Sequence, residues 1–276
     1  NVEFNYVPVG PDGAAGFGTV DPEKETVKAV SGTAMGSTAT AGDGYTFVGW
    51  YAEETCENLI SKDDKYVPAK TEGVYLEGDT FYAKFVENDV TINYVAEAGG
   101  TVDLESENLK VYTGEAQGSK AAPVKGFEFI GWYDANGDEV SDNEKFIPKK
   151  TDGKNVAATY TAKFSEITTD IHYVLVGDIE GAELTSYSEN GDGSIGVISG
   201  PVEGSKVIEL KKGYTFEGWY TDEACTNKIT EGLSEDGYKF TPSKIDDLYV
   251  PATYYAKIVE GLAEIKYEAV VIGDHD

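Results

Sequence analysis

The chain has 276 residues and carries 50 acidic against 22 basic side chains, a net charge of −28, with lysine as its only strongly basic residue type. A surface this acidic repels phosphate backbones and anionic headgroups, which excludes nucleic acid and membrane surfaces as partners. No apolar run approaches the roughly 18 residues of a spanning helix, no charged-then-apolar leader opens the sequence, and two cysteines make no disulfide framework.

The first predicted strand alternates Val2, Phe4 and Tyr6 against Glu3 and Asn5. A PDG turn follows at 11–13, and residues 31–43, rich in Gly, Ala, Ser and Thr, read as a mobile loop. GYTFVGWY at 44–51 reads as a strand with Tyr45, Phe47, Gly49 and Tyr51 on one face and Thr46, Val48 and Trp50 on the other. A glycine inside a strand admits a close neighbour, so Gly49 marks a packing requirement. Acidic residues at 52–56 favour a short helical turn. FYAKF at 81–85 is a closing strand, Phe81, Ala83 and Phe85 opposite Tyr82 and Lys84.

The same elements then return. Val90, Ile92 and Tyr94 alternate with Thr91 and Asn93, GFEFIGWY stands at 126–133, an NGD turn at 136–138 and YTAKF at 160–164. A third round has IHY at 171–173, NGDG at 190–193, GYTFEGWY at 213–220, an acidic turn at 222–226 and YYAKI at 254–258. IKY at 265–267 opens a fourth. Trp50, Trp132 and Trp219 recur 82 and 87 residues apart, and Gly131 and Gly218 hold the place of Gly49. An internal period of this size predicts tandem modules: 1–87, 88–165 and 166–260, with 261–276 as the opening strand of a truncated fourth. Modules this small rely on aromatic packing, which 19 Tyr and 11 Phe supply. Joints at 86–91, 165–170 and 259–264 leave too little chain for one module to fold back over the next, so a monomeric, extended rod is expected.

The chemical inventory is thin. His172 and His275 are the only histidines, too few to assemble a nucleophile, base and orienting acid in each repeat. No phosphate loop, zinc spacing or two-histidine helix is present, so no catalytic, cofactor or metal residues are assigned and no cofactor is expected. Asp134, Asn136 and Asp138 match the first oxygens of a calcium loop, but Glu139 and Lys145 stand where glycine and glutamate are required, which favours an ordinary hairpin. The recurrent Lys84, Lys163 and Lys257 point outward, the wrong side for a desolvated amine able to form an isopeptide bond. Cys56 and Cys225 occupy matching places in separate modules and are expected to stay unpaired. Acidic charge serves solubility and mutual repulsion on a crowded surface, or draws in a basic partner or Ca²⁺. Trp50, Trp132 and Trp219 have two readings: each caps a small core, or the three rings form a ligand face that stacks on sugars or a peptide with avidity from repetition.

The pattern G-[YF]-x-F-x-G-W-Y, followed some 30 to 40 residues later by a closing A-K-[FI], resembles the Listeria–Bacteroides repeat, or internalin B-repeat. GYTFEGWYTDEACTNKI at 213–229 carries the likeness most fully. The first half of each unit matches more loosely, through the opening strand and GSTA, GSKA and GSKV at Gly36, Gly118 and Gly204. These units are longer than the usual repeat. The resemblance implies a mainly β architecture of tandem β-grasp-like modules with little helix, related to mucin-binding-protein repeats. It also implies an extracellular, wall-attached bacterial protein whose anchor lies outside this stretch, and no enzymatic activity. On that basis the chain is expected to be a stalk that projects a functional head. The alternatives are adhesin modules that bind a host glycan or surface protein, and a non-catalytic accessory region of a secreted enzyme.

Overall fold

The computed structural model describes residues 1–185, 194–200, 202–261 and 268. The IKY strand at 265–267, the NGDG turn at 190–193 and His275 lie outside the described residues. The chain is mainly β. It divides into two compact units, Asn1–Ala122 with Ile130–Lys163, and Pro123–Phe129 with Phe164–Asp276.

The first sequence repeat supplies β1 (Val2–Val9), β2 (Gly18–Asp21), β3 (Lys24–Val27), β4 (Ser37–Ala41), β5 (Tyr45–Tyr51), β6 (Leu59–Ser61), β7 (Lys65–Tyr66) and β8 (Thr80–Glu87). The second supplies β9 (Asp89–Ala96), β10 (Gly100–Val102), β11 (Ser106–Lys110), β12 (Ser119–Pro123), β13 (Phe127–Tyr133), β14 (Glu139–Ser141), β15 (Lys145–Phe146) and β16 (Ala158–Glu166). From the third come β17 (Thr168–Gly177), β18 (Glu183–Thr185), β19 (Ser194–Gly196), β20 (Ser205–Ile208), β21 (Tyr214–Tyr220), β22 (Lys239–Phe240) and β23 (Ala252–Glu260). One 3₁₀ turn, Ile179–Gly181, is the only helix among the described residues.

Each repeat builds a larger and a smaller sheet: β3-β1-β8-β5-β6 with β2-β4-β7, β11-β9-β16-β13-β14 with β10-β12-β15, and β19-β17-β23-β21 with β18-β20-β22. The opening and closing strands, β1 with β8, β9 with β16 and β17 with β23, pair in parallel at the centre of each larger sheet. Alternation puts Phe4, Tyr6, Phe81, Ala83 and Phe85 inside, as the sequence pattern predicts.

Two local expectations are corrected. The stretch 31–43 is not a mobile loop: β4 is the middle strand of its small sheet, with Ser37 and Ala39 buried. Its small side chains are what lets the strand lie tightly on the core, and Ser119 and Ser205 are equally buried in the other copies. The acidic turns at 52–56 and 222–226 do not become helices, because Cys56 and Cys225 both take φ 55° and reverse the chain.

Strict alternation also fails within the GWY strands. A register shift between Phe47 and Gly49, repeated between Phe216 and Gly218, inserts one residue opposite the closing strand. Phe47 and Trp50 therefore face the same interior, ring centroids 6.1 Å apart, as do Phe216 and Trp219 at 6.1 Å. Gly49 takes φ 156°, and a Cβ there would strike the Leu59 side chain and approach the Ser61 carbonyl to 2.8 Å. Gly49→Ala is expected to cost about 2 kcal/mol, measured by urea unfolding. Gly131→Ala should cost clearly less, because its nearest obstacle is the Ser141 carbonyl at 3.2 Å. Equal costs at the two positions would contradict the packing argument.

Candidate functional site

The three tryptophans are the first place to look for a site, and they are sealed. Trp50, Trp132 and Trp219 are each 0% exposed. Every indole N–H donates to a backbone carbonyl, of Asp64 (3.1 Å), Glu144 (3.0 Å) and Tyr238 (3.2 Å). Each ring meets the opening-strand tyrosine edge-on: Tyr6, Tyr94 and Tyr173 at 5.7, 5.8 and 5.9 Å. The reading of Trp50, Trp132 and Trp219 as a ligand face is thereby corrected, since no face of the indoles reaches solvent; at Trp50 and Trp219 the bulge turns the ring inward.

The other suspected groups also have local employment. Asp134 accepts from the N–H of Asn136 (2.9 Å) and of Asp138 (3.0 Å), an Asx-type hairpin. Lys84 and Lys163 lie over the Tyr51 and Tyr133 rings at 5.5 and 4.2 Å, and Lys257 pairs with Glu217 at 2.8 Å. Cys56 is buried, Cys225 half-buried, and both are free thiols whose pKa burial pushes up.

The structure adds two glutamate constellations that sequence reasoning missed. In the first, Glu25 accepts from the Tyr6 hydroxyl (2.6 Å) and from the N–H groups of Met35 (2.7 Å) and Gly36 (2.9 Å). Glu107 does the same with Tyr94 (2.6 Å), Gln117 (2.8 Å) and Gly118 (3.2 Å). Burial works to raise the Glu25 pKa, but these donors hold it below the ordinary glutamate value. Its sequence signal is a glutamate eleven residues before the Gly-Ser pair. Position 193, eleven before Gly204, is a glycine outside the described residues, and among the described residues the buried Tyr173 hydroxyl has no hydrogen-bond partner.

The second constellation joins consecutive repeats. Glu87, the last residue of β8 and only 6% exposed, accepts from the N–H groups of Tyr112 and Thr113 (2.8 Å for Thr113) and from the Thr113 hydroxyl (2.9 Å). Lys110 donates to the Glu87 carbonyl at 3.0 Å. Desolvation alone would raise the carboxyl pKa; the Thr113 and Tyr112 N–H groups, the Thr113 hydroxyl and Lys110 keep it depressed. Around this centre Asn88 N–H donates to Gly44 (2.9 Å) and Val111 N–H to Asn88 (3.0 Å). Tyr45 stacks on Tyr112 at 5.4 Å, and Lys154 binds Asp43. A shallow cleft of about 420 Å³ runs beside the clasp, lined by Val9, Lys84, Glu87 and Lys110 among others. It converges no set of catalytic groups.

Within the second unit Glu166, at the end of β16, repeats the arrangement. It accepts from the N–H groups of Ile198 and Ser199 (2.7 Å for Ser199). Ile167 N–H donates to Gly126 and Val197 N–H to Ile167, both at 2.9 Å. The Ser199 hydroxyl foremost, against a smaller desolvation effect, lowers the Glu166 pKa. The sequence signal was present: a glutamate stands two residues after each A-K-[FI], at 87, 166 and 260. What no local pattern discloses is that the partner is a turn 25 or 32 residues further on.

Comparison with known proteins bears on this arrangement of repeats. The sequence profile of the Divergent InlB B-repeat domain matches residues 13–76 and 90–168, and that of the Listeria-Bacteroides repeat domain matches 186–241. A protein of Evansella cellulosilytica, provisionally named a Gly-rich membrane protein, is 26% identical over 82% of this chain. A second, provisionally named a membrane protein, is 26% identical over 67% of it. The chain spans only 22% and 24% of their lengths. The Bacillus anthracis TIE protein aligns over 94% of this chain and 50% of its own, with 12% identity and a TM-score of 0.36. No helix among the described residues is long and apolar enough to cross a membrane. With profile matches over more than half its length and the same aromatic and glutamate constellations recurring along it, the chain belongs to the Listeria–Bacteroides, or InlB B-type, repeat family.

Proposed function

We propose that this chain is a spacer within a bacterial surface protein, a non-catalytic stalk whose repeats hold another part of the protein away from the cell. In this reading the three repeats at 1–87, 88–165 and 166–260 are the structural modules, each closed over its own tryptophan. Anchorage to the cell wall is supplied by other regions of the protein, and the chain acts as a monomeric rod. The observation that carries it is the glutamate clasp: Glu87 ties the end of one repeat to the 112–113 turn of the next through three hydrogen bonds. A joint of that kind restrains orientation, which a passive linker does not. The provisional naming of both relatives as membrane proteins supports placement at the cell surface.

Small-angle scattering tests the stalk. A compact chain of this length would have a radius of gyration of about 19 Å. The expected value is well above that, with a long-tailed distance distribution that salt leaves unchanged. A globular profile near the compact value would overturn the reading.

A further inference from the structure

The opening and closing strands of each repeat lie side by side and point the same way. The register couples Asn5–Val9 to Thr80–Lys84, Ile92–Ala96 to Ala158–Ala162, and Ile171–Gly177 to Ala252–Ile258. Both strands of each pair are interior to their sheet: β3 and β5 flank the first pair, β11 and β13 the second, β19 and β21 the third. Backbone amides near the ladder ends show which way they face. Asn5 N–H donates to the Asp79 carbonyl at 3.0 Å while Tyr6 N–H donates to Glu23 at 2.7 Å, so odd-numbered amides of β1 face β8. Pro8 holds an even position, and its missing N–H therefore takes no bond from the parallel ladder. Glu97 N–H to Ala162 (2.9 Å) and Asp178 N–H to Ile258 (3.0 Å) extend the ladders of the other two repeats.

This topology fixes how a repeat meets tension. A pull along the chain enters at the start of the opening strand and leaves at the end of the closing strand. Because the two strands are parallel, those points lie at opposite ends of the shared ladder, and the strands are drawn lengthwise past each other. The bonds of a parallel ladder are evenly spaced, and all of them resist that sliding together. Antiparallel terminal strands would put both points at one end, where bonds open one after another. The connections add no slack, since Asn88 alone separates β8 from β9 and Ile167 alone separates β16 from β17. Ala83, Ala162 and Ala256, each 0% exposed, lie within the coupled segments, where water has least access to compete for a stretched bond.

We propose that each repeat is a shear clamp, a module that bears tension along the chain without unfolding. The source of that tension rests on the stalk reading, because a tether between a cell and whatever its far end holds is stretched when the two separate. The clamp itself rests on strand direction and register. The recurrence of an opening tyrosine strand and a closing A-K-[FI] strand is then the recurrence of the two halves of one device, and the tryptophan core beneath them holds the halves in place.

Single-molecule force spectroscopy on the full chain, with handles at exposed positions, tests the clamp by changing only the direction of pull. Held at the N terminus and Asp89, the first repeat is loaded in shear; held at the N terminus and Asp79, the same two strands are pulled apart from one end. Thr168 with Glu260, against Thr168 with Val250, makes the same comparison in the third repeat. Forced unfolding follows the barrier met along the pull rather than the equilibrium stability. Urea unfolding should therefore be the same for both members of each comparison, while the shear pairing ruptures at severalfold higher force, because load shared by a whole ladder falls on single bonds in the other. Equal rupture forces in the two directions, in either repeat, would overturn the clamp. A compact scattering profile would defeat the stalk and leave this comparison unchanged, so the two readings fail separately.

Discussion

Trp50→Ala is expected to lower stability by about 3–5 kcal/mol, the range for deleting a fully buried large aromatic side chain. Trp50 is 0% exposed, touches Tyr6, Phe47 and Tyr66, and donates to the Asp64 carbonyl, so the substitution empties the meeting point of both sheets and orphans a buried acceptor. Urea unfolding followed by the emission of the two remaining tryptophans and by circular dichroism checks it. With a slope of about 2 kcal/mol per molar urea, the affected transition should move down by about 2 M. Trp50→Phe, which keeps an aromatic ring but loses the N–H, should recover about half of the loss. A loss below about 1 kcal/mol for Trp50→Ala would mean that the indole does not organise the core.

Glu87→Ala should cost about 2 kcal/mol, because a buried carboxylate with three donors is removed and two backbone N–H groups lose their acceptor. The specific readout is amide exchange at Tyr112 and Thr113, expected to quicken at least about tenfold if the bond is worth about 1.4 kcal/mol or more. The same residue has a pH signature. Its folded pKa is lower than in the unfolded chain, so its contribution is fully present above the ordinary glutamate range, near pH 4.3. It is lost as pH falls through the depressed folded value. Glu25 and Glu166 have the same sign. Opposing this, protonating other surface carboxylates relieves the self-repulsion of a chain with charge −28. Stability is therefore expected to hold or rise slightly on acidification toward pH 5 and then fall below about pH 4.3. Glu87→Gln should make that fall shallower. An identical acid limb in the variant would show that Glu87 is not among the groups driving it.

Much of the fold was legible because it rests on short-range periodicity. Val2, Phe4 and Tyr6 could be placed inside from alternation alone, and so could Phe81, Ala83 and Phe85. The recurrence of GWY, A-K-[FI] and the opening tyrosine announced three similar folds. The residues misread were those whose place depends on a neighbour distant in sequence. Trp50 was put on the face opposite Phe47 because alternation admits no bulge, yet pairing with β8 inserts one at Val48. Ser37 and Ala39 looked like loop residues because small side chains carry no hydrophobic signal, although their size is what the close packing of β4 requires.

The amino-acid sequence by itself determined the repetition, the β class, the acidic composition and the inward face of the opening and closing strands, since all of these follow from residue type and local spacing. Only the tertiary structure decided which way the indoles face, and that Glu25, Glu87 and Glu166 are acceptors at built sites rather than ordinary surface charges. A carboxylate among 50 acidic residues looks the same wherever it stands in the sequence. What distinguishes these three is a set of N–H donors converging on them from turns and loops, and only the folded chain brings those donors within hydrogen-bond reach.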